Sequence, residues 1–477
     1  MLTRRRIPPS EEKQDVDSPH SKVATLGPTA RKLSIAQSRI LKLSLVVRFL
    51  SITLLILSSH LQQAFDTSHT LLSYSLDPLT SHGLSSGSFN WLLAFVRWDT
   101  IYFLSSAAPT SLNTIHTGGY EWEQTLAFQP GIIALLRGSG FVTPEMDGRW
   151  SPTTAVLFTT LFGNGLAVAG PVLLHRLAWK LTRNLELSYT AAVLSIFAPS
   201  AGTTLTAATP ESCFSFACLM GLLALESGTK CALGWVQVME ASFWFSVATV
   251  FRSNGTLLVG YLGFKLLREK TVTAIVKLTL LTAVCIAPSV GFQLWAYTRF
   301  CLADDTRPWC QSSPPSIYAF VQSHYWNVGF LRYWELAQMP NFLLASPVLV
   351  GIAYTVYTFY GDSSFFHIIA SVNPLTSTTS VIPSTTNVKS GGLSLSSSPA
   401  ATPYIIHSLA LGLLLLFASH IQIALRFATP GGIPAIWLGA AHAVLCGKPW
   451  LRRFLVAYLA VQYVLAIGLY AGFYPPA

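Results

Sequence analysis

Apolar runs of membrane-crossing length recur from residue 43 to the C-terminus, and no other feature limits the fold of this chain so strongly. A spanning helix needs roughly 20 apolar residues, about 17 to 25 in practice, because the hydrocarbon core offers no partner to an exposed peptide group. By that rule, spans fall near 43–63, 153–175, 188–204, 212–228, 232–250, 254–268, 272–296, 340–360, 404–427, 433–446 and 452–472, about 11 in all. Composition agrees, with 51% hydrophobic and only 10% charged residues where a soluble domain carries about 25%. The expected fold class is an all-α polytopic membrane protein.

A net charge of +10 would suggest nucleic acid in a soluble chain. Here the basic residues form small groups between apolar runs, which is how topology signals are distributed, so no nucleic-acid partner is expected. If Arg4, Arg5, Arg6, Arg31, Lys32, Arg39 and Lys42 are cytosolic, alternate loops bring four more basic groups to the same side. These are Arg176, Lys180 and Arg183; Lys230; Lys265, Arg268 and Lys270; and Lys448, Arg452 and Arg453. The long segments 64–152 and 297–339 then face the opposite compartment, with the turns at 205–211, 251–254 and 427–432.

Three regions follow. Residues 1–42 are polar and without hydrophobic periodicity, which predicts a disordered cytosolic tail. That length is too great for the charged leader of a cleavable signal peptide, so the first span is expected to stay as an anchor. Residues 361–403 are rich in Ser and Thr and read as a flexible cytosolic insert within a single multispanning domain, 43–477.

The residues that fit poorly in such a chain gather on the non-cytosolic side. The stretch "FVRWDTIYFLSSA" places Arg97, Trp98 and Asp99 in an otherwise apolar or small run, and Glu121 and Glu123 follow in "GGYEWEQTLAFQPG". A loop of this length and apolar content is expected to fold against the membrane surface. "TPESCF" has Thr209, Pro210 and Glu211 in the order of an N-cap, a first-turn proline and a first-turn acid. "FRSNG" holds Arg252 and Asn254, "SHYWN" holds His324, Tyr325, Trp326 and Asn327, and "HIQIALRF" holds His420 and Arg426.

Each has a plain structural alternative. Aromatics anchor at the interface, arginines snorkel to it, and an acid favours the positive end of a helix. The Asn254-Gly255-Thr256 sequon lies too close to the membrane to be used. Cys301 and Cys310 flank the polar turn in "FCLADDTRPWC" and would close a short loop on an oxidising side. Cys213, Cys218, Cys231, Cys285 and Cys446 lie in or beside apolar runs and read as packing. There is no zinc-type ligand spacing, phosphate-cradling glycine loop or Gly-x-Ser-x-Gly nucleophile motif. No cofactor is expected, with a weak divalent-metal requirement left open.

Taken together, "RWDTIYFLSSA", "GGYEWEQTLAFQPG", "TPESCFSF", "RSNG", "FCLADDTRPWC", "QSHYWNVGFLRYWELAQMPNFLLASP" and "IQIALRF" resemble the PIG-V family, the second mannosyltransferases of glycosylphosphatidylinositol (GPI) anchor assembly. The matching blocks run in family order from about residue 90 to the C-terminal "FYPPA". Gln129 stands where the family usually has an aromatic, and "TPESCF" replaces a more usual Tyr-Ser-Glu. The resemblance implies a GT-C type glycosyltransferase with long lumenal loops in the endoplasmic reticulum membrane. Its partners would be dolichyl phosphate mannose as donor and the mannosylated GPI lipid intermediate as acceptor, joined by an α-1,6 linkage. A small accessory membrane subunit stays open as a further partner.

A β-linked donor and an α-linked product require inversion. One carboxylate takes the acceptor proton, and cationic donors stabilise the departing phosphate. Asp99 is the expected base, with Arg97, either holding its loop in place or meeting phosphate, and His324 as the other catalytic residues. Arg252, His324 and Arg426 are expected on the phosphate side, Asn254 and Asn327 as positioners, and Trp98, Tyr325 and Trp326 on the sugar faces. Glu121, Glu123 and Glu211 complete the substrate-binding set, the first two also as a rival base. The competing readings are transfer to a different glycolipid, a membrane lipid transporter and a non-catalytic subunit. Absence of a convincing internal repeat and the one-sided polar motifs favour an enzyme over a transporter.

Overall fold

The computed structural model describes residues 28–65, 87–109, 119–120, 123–142, 150–227, 233–302, 307–361, 373, 375 and 399–474, with side chains from residue 91 in the second of these stretches and from 400 in the last. Within them the chain is helical, and no strand is present among the described residues. Among the described residues, five helices are long and apolar enough to cross a membrane. They are α1 (Pro28–Leu61), α4 (Pro152–Thr182), α9 (Val272–Phe300), α11 (Met339–Tyr360, with the turn before it) and α15 (Pro449–Ala471). The protein is a multi-pass membrane protein.

Between these lie α2 (Asp99–Ala107) and α3 (Pro130–Ser139) in the first long segment, then α5 (Leu185–Ile196), α6 (Glu211–Leu225), α7 (Trp235–Phe251) and α8 (Val259–Leu267). After α9 come α10 (Ile317–His324), α12 (Thr402–Ala418), the short α13 (Ile423–Phe427) and α14 (Pro434–Cys446). Side-chain caps set several starts by accepting otherwise unpaired first-turn N–H groups. Asn184 accepts from Leu187 at 2.9 Å, Thr271 from Ala274 at 3.1 Å and Ser316 from Ala319 at 3.3 Å. Helix α6 packs between α4 and α7, α9 covers α7, and α15 lies against α1.

Several expectations change, among them the span at 404–427, where α12 ends at Ala418 and the short α13 resumes at Ile423. The tail does not lack structure through residue 42, since α1 begins at Pro28 and buries Ala36 and Ile40. This helix contacts α5, and its Lys32 and Arg39 line one groove with Leu185 and Tyr189; residues 1–27 lie outside the described residues. The expected span 188–204 ends early, because α5 stops at Ile196 and residues 198–210 form a buried, non-helical segment. The 254–268 run gives a 3₁₀ turn (Ser253–Leu258) and then α8, whose nine residues reach about 13 Å at 1.5 Å per residue. Most of the proposed insert, 362–398 apart from residues 373 and 375, lies outside the described residues.

Cys301 and Cys310 are disulfide-bonded, with Cα atoms 5.6 Å apart. The first long segment does not simply rest on a membrane surface. Ile101, Phe103 and Leu104 of α2 are buried, and α3 packs against both α2 and α4.

Candidate active site

Four charged residues from four separate parts of the chain meet at one end of the helix bundle. Asp99 is the first residue of α2, Glu211 the first of α6, Arg252 caps the end of α7, and Arg426 lies in α13. Arg426 donates from Nη1 to Asp99 Oδ2 at 2.6 Å, and its Nε and Nη2 reach Glu211 Oε1 at 2.8 and 2.7 Å. Arg252 donates from Nη1 to the same Glu211 oxygen, and from Nε to Asn254 Oδ1 at 3.3 Å. A planar guanidinium is suited to this bridging because its donors lie in a fixed fork.

The two carboxylates occupy different environments. Glu211 is 1% exposed, whereas the Asp99 side chain keeps 33% of its surface open. Burial on its own would lower the Arg426 pKa, but Glu211 and Asp99 outweigh it and raise the value, so the guanidinium is held charged. Arg252 also lies over the Phe427 ring at 4.8 Å and the Phe214 ring at 5.9 Å, contacts that favour a cation over an aromatic face.

Backbone packing brings these groups together. Gly431 N donates to Ser215 Oγ at 2.8 Å. A Cβ on Gly431 would collide with the Ser215 carbonyl oxygen, so only glycine lets this segment rest on α6 and carry Arg426 to Glu211. Ahead of Asp99, Trp98 has φ 50°, a backbone conformation that costs a residue with a Cβ about 1–3 kcal/mol and persists only when its surroundings enforce it. Phe473 packs there, with its ring 6.4 Å from Trp98 and beneath the Arg97 guanidinium at 4.5 Å.

Two residues expected to be catalytic are not in the cluster. Arg97 is buried and directs its donors to backbone, with Ala471 O and Val96 O both at 3.2 Å and Leu93 O also bonded. A 3₁₀ segment ends beside it, and by bonding these three carbonyls Arg97 braces the loop that presents Asp99. His324 is exposed at the end of α10, stacked on Phe320 at 4.9 Å and edge-on to Tyr325. The expected N-cap at Thr209 is also displaced: α6 starts at Glu211 with Pro210 before it, and the Thr209 hydroxyl donates to Thr204 O.

A second polar group surrounds Glu123. Trp309 Nε1 donates to its Oε1 at 2.6 Å and Tyr325 Oη to its Oε2 at 3.0 Å. The carboxylate therefore ties the disulfide loop and the end of α10 to the first long segment, a use that differs from a base. No motif marks Trp309 in the sequence, although an indole N–H inside a short disulfide loop has to find an acceptor. Tyr318, likewise unmarked by any motif, accepts from Ser253 Oγ at 2.9 Å and so links α10 to the Arg252 turn.

Trp326 is half-buried with its ring 5.5 Å from Phe128, and its carbonyl bonds with His420 Nε2. Asn327 is exposed at φ 50°, and Glu121 lies outside the described residues.

A family model described as Mannosyltransferase (PIG-V) matches residues 37–477. GPI mannosyltransferase 2 of Cryptococcus neoformans var. neoformans serotype D (strain B-3501A) is 29% identical over 461 residues, covering 90% of this chain and 96% of that protein. GPI alpha-1,6-mannosyltransferase 2 of Rattus norvegicus is 31% identical over 371 residues, covering 69% of this chain and 70% of that protein. Among solved structures, an Archaeoglobus fulgidus oligosaccharyltransferase superposes with a TM-score of 0.44 at 14% identity. That alignment covers 91% of this chain and 53% of the archaeal one, so the chain spans about half its length. The family match runs over nearly the whole sequence, through each of the four clustered charges, and the chain belongs to the PIG-V mannosyltransferase family.

Proposed function

We propose that this protein is a GT-C type transferase that moves mannose from dolichyl phosphate mannose to the one-mannose GPI precursor, forming an α-1,6 linkage. The site faces the lumen of the endoplasmic reticulum and the N-terminus faces the cytosol. The observation that carries the reading is the meeting of a part-exposed carboxylate, Asp99, with two arginines whose charge is shared with the buried Glu211. Family membership and the relatives' names supply the substrates.

In the reaction the acceptor hydroxyl oxygen bonds to the mannose anomeric carbon as the bond from that carbon to the phosphate oxygen breaks. The electron pair leaves with dolichyl phosphate, and the hydroxyl proton passes to Asp99. Arg426 and Arg252 meet the charge that grows on the phosphate, while Glu211 keeps both guanidinium groups in place. The leaving group is a monophosphate, and two arginines serve the task for which a nucleotide-sugar enzyme commonly uses a divalent metal. The reading therefore calls for no bound cofactor.

The test uses membranes from cells lacking the endogenous enzyme, supplied with labelled dolichyl phosphate mannose. Wild type should convert the one-mannose GPI lipid to the two-mannose lipid, and Asp99→Asn at matched expression should not. Label entering a different glycolipid would overturn the acceptor. No transfer by wild type would overturn the enzyme reading.

A further inference from the structure

Residues 197–210, between α5 and α6, form no regular element, and every residue from Ala198 to Ser215 is buried. Connecting segments normally run over the surface because their peptide groups need partners. In a membrane protein, non-helical backbone at depth persists only where protein encloses and satisfies it. Arg48 of α1 supplies that here. It is 5% exposed in a helix long and apolar enough to cross the bilayer.

Arg48 Nη1 donates to Ala201 O at 2.6 Å and to Thr206 Oγ1 at 2.8 Å, and the Thr206 hydroxyl donates to Ala201 O at 2.7 Å. From the other side, Asn164 Nδ2 of α4 donates to Thr206 O at 2.8 Å. These described partners of Arg48 are neutral, and an ionisable group within a spanning helix is rare enough to demand a purpose.

The segment leads directly to the active cluster. Thr209 Oγ1 bonds back to Thr204 O, Ser212 Oγ donates to Leu205 O at 3.1 Å, and Glu211 lies between those anchors. We propose that Arg48 is a positioning residue for Glu211: by closing the 201–206 turn it sets where the Glu211 carboxylate stands, and through it where Arg252 and Arg426 stand. The inference rests on the transferase reading only for its effect on rate. Its effect on the segment can be measured separately.

Cys213, two residues past Glu211, is buried, as is Cys285 on α9. In the purified full-length protein, Arg48→Gln should raise the labelling rate of Cys213 by a membrane-permeant maleimide at least about fivefold, leaving Cys285 unchanged. The same variant should lower mannose transfer about tenfold or more, with Arg48→Lys recovering part of both effects. Equal acceleration at both cysteines would mean general loosening and would overturn the proposal, as would unchanged labelling or an unchanged rate of transfer. If Arg48→Gln fails to fold, Thr206→Val and Asn164→Ala test the same turn by the same two readouts and must reproduce the selective change. If wild type itself transfers no mannose, the enzyme reading fails while the labelling still decides whether Arg48 holds the segment.

Discussion

Arg426 and Asp99 stand 327 residues apart in sequence and 2.6 Å apart in space, joined through Nη1 and Oδ2. The other edge of the same guanidinium grips Glu211. A proposed base and a proposed phosphate-binding cation are thus held in one geometry by a third, buried residue. The arrangement makes the variants distinguishable.

Asp99→Asn keeps the shape of the side chain and removes its basicity. Loss of a general base typically lowers a rate about 10²- to 10⁴-fold, and transfer to the one-mannose lipid should fall by that order. Asp99→Glu, with the carboxylate displaced by one methylene, should retain a measurable remainder. Initial rates in membranes at matched expression check both, and an Asp99→Asn rate near wild type would remove Asp99 from the chemistry.

The two arginines should not tolerate lysine equally. Lysine offers a point charge in place of a planar fork, and only Arg426 bridges two carboxylates. Arg426→Lys should reduce transfer about 100-fold and Arg252→Lys about tenfold, taking each lost charge-assisted bond as worth roughly 1.5–3 kcal/mol. Titrating donor lipid against each variant tests the order. Equal losses would argue against a bridging role.

Glu123 should matter to assembly before chemistry. Glu123→Ala strips the Trp309 and Tyr325 donors of a charged acceptor, a change of about 1.5–3 kcal/mol per bond before solvent screening of the exposed Tyr325. Thermal unfolding of the detergent-solubilised protein should shift downward. Adding Cys301→Ser should cost less than the two separate shifts combined, since both changes release the same loop. Strict additivity would show that the disulfide loop and Glu123 act independently.

His420 lies outside the spanning helices. Burial lowers its pKa below the ordinary 6.5, and the bond with the Trp326 carbonyl restores only part of the difference. Its folded pKa is below its unfolded one, so the unfolded chain binds more protons in that window. The stability it contributes is complete above pH 6.5 and is lost as pH falls from there through the folded value. The melting temperature of wild type should therefore drop between about pH 7 and 5 more steeply than that of His420→Gln; parallel curves would refute the assignment.

If arginine charge alone serves the leaving phosphate, transfer should continue in EDTA within about twofold of the untreated rate. A metal-restored loss of activity would show that a divalent ion takes part.

Much of the fold could be read from local features. Runs of apolar residues predicted the long spanning helices, and the turn around Cys301 and Cys310 predicted their bond, because hydrophobic length and short-range closure are properties of neighbouring residues. Asp99, Glu211, Arg252 and Arg426 each stood out because charge is rare and costly beside apolar runs.

Their partners were not legible. The sequence by itself determined that the chain is a many-helix membrane protein with a few misplaced charges, and the family pattern pointed to their chemistry. Tertiary structure alone decided that Arg97 braces backbone, that Glu123 is a clamp, that 198–210 leaves the helix to form a buried turn around Arg48, and that Glu211 divides its charge between two arginines. Helix propensity and hydropathy act over a few residues, whereas these pairings arise when packing brings together groups separated by much of the chain and their buried polar atoms must then be satisfied.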